Sequence, residues 1–462
     1  MSERVLVGGS IAALVAADAL AGAGEPVRLL TGERGLGGGF APISRDGRLL
    51  ELGVRLFELA YEGASGSSPP LRDYRPGLGS HRPYAPMIHD WVGGLFGDRL
   101  VEVKRPEMFF DGRIVDDLYF TTDPLALRQA LTEQERALIC AQARAACERE
   151  GSDAGLLAPD REDELGRLSL SEASLRNHGR RFHERLIAPI SEKVTAAGGD
   201  RVLASMRRKI WAPLFWPATI ASACNGSEVP FRPERPFHSV VPDGCGELVT
   251  ALRARIERAG AKIESAGRLE RVRPTDDGGV DLTFSAAGVV RSYRPVLGPA
   301  PGELFAAVGA SYTPQKARSV ICWVEVSPED LTAVPSLLNI VDSEVEGLRV
   351  SSGGRGAPGK QLLTVELRHD LPEERISAAA LAALHQTGLL GEECEAEVVM
   401  SAAAPTFALP TRENVELFDE AHAKLAGLEL DAEIVGGAQN FGSDALGEQI
   451  VQGLRAAEEV LG

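Results

Sequence analysis

Apolar and polar positions change their period several times along the chain, and the sharpest change comes first. Arg4–Val7 is a short apolar run, Gly8-Gly9-Ser10 is a turn, and Ile11–Ala21 is an Ala- and Leu-rich helical stretch. Gly22–Glu25 breaks the helix and Val27–Leu30 is a second apolar strand, so the stretch predicts a βαβ unit. Arg48–Phe57 reads as a strand with Gly53 inside it, after a turn at Asp46-Gly47. Residues 62–85 are rich in Gly, Ser, Pro and Arg and predict a long loop. Glu107–Phe110 and Arg113–Asp117 form a hairpin around Asp111-Gly112. A helix starts at Thr122-Asp123-Pro124 and runs to about Glu150. An acidic linker follows over 151–167. Ser169–Glu172 starts another helical stretch, which Pro189 should kink or end. Trp211–Pro217 is an aromatic loop.

Past residue 235 the period alternates between 2 and 3.6. A glycine turn within Val240–Val249 leads to a helix ending at Arg258, and strands follow at Ala261–Glu264, Leu269–Val272, Val280–Phe284 and Val289–Tyr293. Ser319–Val326, Ser336–Val341, Gly347–Ser351, Gln361–Arg368 and Cys394–Met400 supply a second sheet, with a helix at Ile376–Gln386. Glu433–Gly437 and a helix over Gly447–Leu461 close the chain. These elements predict an α/β fold. Residues 1–62, 235–310 and 412–462 make one discontinuous Rossmann-like domain, 63–234 a mostly helical insertion, and 311–411 a second, mixed-sheet domain.

Composition narrows the partners. The 462 residues are 44% hydrophobic and 25% charged, with a net charge of −17, which disfavours nucleic acid and anionic membrane as partners. No apolar run reaches the roughly 20 residues of a membrane span, and no basic-then-apolar leader is evident. The six cysteines are scattered, with no metal-ligand spacing, so no metal site is expected and reduced thiols in a cytoplasmic protein are the simplest reading. A homodimer is left open.

The βαβ unit carries a degraded dinucleotide fingerprint. G-x-G-x-x-G falls on Gly8, Ser10 and Ala13, and the acidic residue expected after the second strand is Thr31. Gly8 keeps the tight turn and Ala13 allows close helix–strand packing. Ser10 adds a side chain where the phosphates would approach, and a threonine hydroxyl is a weaker ribose partner than a carboxylate.

Further motifs give the chain a family resemblance. Gly37-Gly38-Gly39, Asp46-Gly47…Leu52-Gly53, GRRFHERLIAPISEKV, Val241-Pro242-Asp243-Gly244-Cys245-Gly246-Glu247-Leu248, Pro405–Leu409 and Gly436 through Arg455 follow in order. The series resembles the FAD-dependent flavoproteins that include amine oxidases, protoporphyrinogen oxidases, phytoene-desaturase-like enzymes and UDP-galactopyranose mutase. The resemblance implies a glutathione-reductase-type FAD-binding domain and non-covalent FAD. It implies cofactor contacts from Gly8, Gly9, Ser10, Ile11, Ala12, Ala13, Thr31, Gly37, Gly38, Gly39, Gly53 and Gly436, and from Leu446, Gly447, Glu448, Gln449 and Ile450 at the start of the last helix. Departures stand beside it: Gly39 and Gly437 occupy positions where members often carry arginine.

The implied activity is FAD-dependent oxidation of a small organic molecule, by hydride abstraction or desaturation. A redox-neutral mutase-type reaction on a nucleotide sugar is one alternative, and a flavin-free binding protein on the same fold is another. Trp211, Phe215 and Trp216 are candidates for an aromatic substrate wall, with core packing the competing explanation. No catalytic residue emerges from spacing. His183 lies among arginines on a face expected to be solvated, His238 precedes a domain strand, and Lys209 and Lys316 are the lysines considered for a place near the flavin.

Overall fold

The computed structural model describes residues 3–33, 35–59, 66–229, 236–391 and 393–462. The expected domain boundaries near 62–63 and 234–235 lie outside them. Strand β1 (Arg4–Val7) turns through glycine into helix α1 (Ile11–Gly22), which returns to β2 (Val27–Thr31). The hairpin β3 (Glu107–Phe110) and β4 (Arg113–Asp116) precedes α2 (Glu133–Glu150) and α3 (Leu170–His178). After α4 (Glu247–Arg258) come β5 (Lys262–Ser265) and β6 (Val296–Leu297). Then follow β7 (Lys316–Val326), β8 (Leu337–Ile340), β9 (Gly347–Ser351), β10 (Gln361–Leu367), β11 (Ala396–Ala408), β12 (Glu433–Ile434) and α5 (Leu446–Leu461).

Strands β5-β2-β1-β6-β12 form a parallel sheet. Such sheets are buried on both faces, and β1 and β2 are correspondingly apolar. Helix α1 packs on α5 at very close range: a Cβ on Gly453 would lie 2.5 Å from the Ala12 carbonyl oxygen. The alanines of α1 leave room for that approach. A second sheet runs β11-β7-β10-β9-β8-β3-β4 and is antiparallel except between β8 and β3. It takes in the 107–116 hairpin, which sits well outside 311–411 in sequence. The helices between residues 126 and 225 build a separate core around Phe182, Leu186 and Ile220.

Several expectations need correction. Arg48–Phe57 is not one strand. Arg48–Leu50 and Phe57–Glu58 are separate strands, because Gly53 takes φ +80° and turns the chain between them. The helix predicted from Thr122 to Glu150 is broken: Ala126–Ala130 ends at an extended Leu131, and Thr132 caps α2 afresh with a reciprocal bond to Glu135. Pro189 does not end its helix. A π turn over His183–Ile187 places it in the first turn of Ala188–Val194, where its missing N–H costs least. The stretch expected to be loop ends where a helix starts: Ala85, its last residue, opens a helix that runs to Phe96. The basic face around His183 is not simply solvated, since Arg181 and Arg185 both pair with Glu135. Among the described residues no helix is long and apolar enough to cross a membrane.

Candidate functional site

The turn after β1 is shaped by close backbone approach. Gly8 has φ +100°, its N–H donates to the Leu30 carbonyl at 2.8 Å, and a Cβ there would lie 2.4 Å from the Gly298 carbonyl carbon. A Cβ on Gly9 would lie 1.9 Å from the Gly35 oxygen, and the Gly9 carbonyl accepts from Gly37 at 2.6 Å. Ile11, Ala12 and Ala13 are buried at the start of α1. Ser10 caps this helix, its hydroxyl accepting from the Ala13 amide at 3.2 Å. The Ala12 amide donates to Gln449 Oε1 at 3.4 Å. Thr31 is buried and its hydroxyl donates to the Glu264 carbonyl at 3.3 Å, so it is engaged with the neighbouring strand.

The other predicted cofactor residues gather around this turn. Gly38 and Gly39 lie in one short turn, Gly38–Phe40, beside Gly37. Arg55 donates to the Gly39 carbonyl at 2.8 Å and lies over the Phe40 ring. Gly53 faces the Glu366 carboxylate, which also accepts from the Val54 amide at 3.1 Å. At the start of α5, Leu446 and Ile450 are buried, and a Cβ on Gly447 would lie 2.5 Å from the His81 ring. Gly436 lies close to Ser10 and donates to Gln452 Oε1 at 2.7 Å. Glu448 is 0% exposed. Its carboxylate turns back to accept from Ala445 and Gly79, 3.6 Å from His81 Nδ1. The helix start therefore carries an inward carboxylate, which sequence reasoning did not anticipate.

The face of the second sheet towards this region is polar. Arg349 on β9 pairs in register with Glu366 on β10 and Asn339 on β8, and Thr364 pairs with Ser351 and Trp323. Glu51 links the second sheet to the start of α4. Its carbonyl accepts from the Trp323 indole at 2.8 Å, and its carboxylate accepts from the Gly246 amide at 2.9 Å. A Cβ on Gly353 would lie 2.1 Å from Glu51 Oε2, so only glycine leaves room for it. Burial pushes the Glu51 carboxyl up to about 7, against the pull of the Gly246 amide and Arg55. A carboxyl raised on folding stabilises the fold at low pH and loses that contribution as pH rises from about 4.5 to about 7. Glu51→Gln should flatten this dependence, improving on the wild type by roughly 3 kcal/mol at pH 8 relative to its standing at pH 4. Thermal denaturation of both proteins from pH 4 to 8 checks it; parallel profiles would contradict it.

The aromatic candidates are not one wall. Trp211 stacks on Phe120 with centroids 3.9 Å apart, and the Arg349 guanidinium lies 5.5 Å from the same ring. Phe215 is core, packed against Phe182 and His178, whereas Trp216 is 44% exposed. Lys209 pairs with Asp444 on the loop before α5, Lys316 is exposed, and His238 sits in a small sheet beside His89. Among the described residues no group of three or more His, Cys, Asp or Glu could hold a metal ion.

The residues fit a dinucleotide with one adjustment. Among the described residues Arg55 Nε, buried beside the glycine triplet, has no hydrogen-bond partner, and neither has Thr364 Oγ1, 0% exposed on the facing sheet. Both call for a ligand or solvent group. At α1, the Ala12 and Ala13 amides that an anion would seek are held by the side chains of Gln449 and Ser10. Both are rotatable groups, and neither bond is short.

No protein-family model matches the chain, and no curated protein matches its sequence. Solved structures match over its whole length. A reduced UDP-galactopyranose mutase has a TM-score of 0.71 at 15% identity, covering 100% of this chain and 94% of its own. A double mutant of putrescine oxidase made to redesign cofactor binding has a TM-score of 0.59 at 14% identity, covering 99% of each chain. Cyclohexylamine oxidase from Brevibacterium oxydans IH-35A has a TM-score of 0.58 at 13% identity, covering 99% of this chain and 98% of its own. The α/β architecture expected from the sequence is the fold these structures share.

Proposed function

We propose that the chain binds FAD non-covalently and oxidises a small organic molecule. The observation that carries this reading is convergence. The Gly8–Ala13 turn, the 37–39 triplet and the start of α5 are distant in sequence yet adjoin one another, and beside them lies Arg55, whose Nε has no hydrogen-bond partner among the described residues. Bound there, FAD supplies a hydride acceptor. Gly8–Ala13 would hold its pyrophosphate after Gln449 releases the Ala12 amide, and Arg55 would meet its negative charge. The substrate would lie between the helical insertion and the second sheet, a cleft between domains of the kind ligands favour. The likeness to UDP-galactopyranose mutase, with the largest TM-score of those described, favours a second reading, a redox-neutral reaction on a nucleotide sugar. Oxygen consumption with peroxide release supports the oxidase reading; turnover only after dithionite, without net redox change, supports the mutase reading.

The competition at α1 is testable. Ser10→Gly removes a side chain from the phosphate approach at a helix-capping cost of only a few tenths of a kcal/mol. It should tighten FAD binding several-fold, and Gln449→Ala should do the same by freeing the Ala12 amide. Fluorescence titration of flavin into the apoproteins measures both. Unchanged or weakened affinity in both variants would remove the pyrophosphate from this turn.

A further inference from the structure

Several arginines gather where the second sheet meets the helical insertion, in a chain whose net charge is −17. Arg349 makes a cation–π contact with Phe120 and has no ion-pair partner among the described residues. Its register neighbour Glu366 is turned to the Val54 amide instead, and Glu51 is turned to the Gly246 amide. Burial disfavours the charge of Arg55, the Glu51 and Glu366 carboxylates attract it, and Arg349 repels it. On the insertion side Arg207 donates to the Ala204 carbonyl and is disfavoured by burial and by the charge of Arg82. Neither Arg349 nor Arg207 has an ion pair among the described residues, and arginine is suited to the planar geometry of carboxylate and the oxygens of phosphate. Beside these charges the Trp211 indole, partly exposed, stacks on the buried Phe120 ring. The buried hydroxyl of Thr364, in the same sheet face as Arg349, has no hydrogen-bond partner among the described residues.

We propose that this cleft takes a small molecule bearing a carboxylate or phosphate next to a planar group, with Arg349 as the anchoring residue for the anion. Arg349 would repel a cationic amine. This rests on reading the cleft as the substrate site and adds the charge of the substrate to it.

The test is calorimetric titration of the purified full chain with benzoate, phenyl phosphate and benzylamine, with flavin content measured on the same samples. At least one anion should bind saturably and more than tenfold tighter than benzylamine, and the tighter anion identifies the group recognised. Arg349→Gln and Arg349→Ala should each weaken that anion by tenfold or more, while Arg268→Ala, an exposed arginine in another sheet, should leave it unchanged. Failure of both anions to bind, equal or tighter binding of benzylamine, or unchanged affinity in Arg349→Gln overturns the proposal. If the Arg349 variants do not fold, the wild-type ranking of anions against benzylamine decides it. A flavin-bearing protein that ignores both anions counts against this inference alone; a colourless protein that binds them counts against the flavin reading alone.

Discussion

Gly8→Val should cost the protein on the order of 3–5 kcal/mol and abolish FAD binding. Two penalties act together. The φ of +100° at Gly8 lies where a β-branched side chain is strongly disfavoured. The new Cβ would also lie 2.4 Å from the Gly298 carbonyl carbon, which is backbone of the adjacent strand end and cannot rotate away. Strand β1 is central in its sheet, so relief of the clash would separate β1 from β6. A fall in melting temperature with loss of flavin retention is the expected outcome. A variant with wild-type melting temperature would show that the turn is not packed as described.

Lys193→Met should be the second large loss, about 3–5 kcal/mol. Lys193 is 3% exposed and its ammonium donates to the carbonyls of Ile340, Asp342 and Gly347, each at 2.8 Å. Burial pulls its pKa down to about 7, against the pull of the Asp342 carboxylate. Methionine fills similar volume but leaves three inward carbonyls without this donor. The bond set joins the Ala188–Val194 helix to the turn between β8 and β9, and β9 carries Arg349. Loosening it should therefore expose the turn to limited proteolysis and weaken anion binding as well as lower the melting temperature. Differential scanning calorimetry with proteolysis of the folded protein checks both; a variant matching the wild type in each would contradict the role of this lysine.

What the sequence discloses follows from how local each signal is. The β1–α1–β2 unit is legible because its strand, turn and helix are contiguous and change period abruptly. The closing helix is legible for the same reason. The break at Gly53 is not, because either strand or turn accommodates a glycine and only the approach of Glu366 decides between them. The Ala85–Phe96 helix is hidden by Pro86, Gly93 and Gly94, although proline in a first turn is compatible with a helix. Arg55, Arg349, Glu366, Thr364 and His81 were not read as site residues, since each comes from a different segment and none belongs to a spaced motif. One signal was present. Leu362–Leu367 has Thr364 and Glu366 two apart among apolar residues, which marks polar groups on one face of a buried strand. The inward turn of Glu448 was not predictable from the sequence, because its bond to Gly79 spans 369 residues.

The flavin reading depends on one fact that can be measured directly: whether the purified protein carries FAD. The account predicts a yellow protein, or one that becomes yellow and stays so after incubation with FAD and gel filtration, and mass spectrometry should find intact FAD released on denaturation. A folded protein that stays colourless with added FAD, and remains colourless when Ser10→Gly and Gln449→Ala are combined, would contradict it.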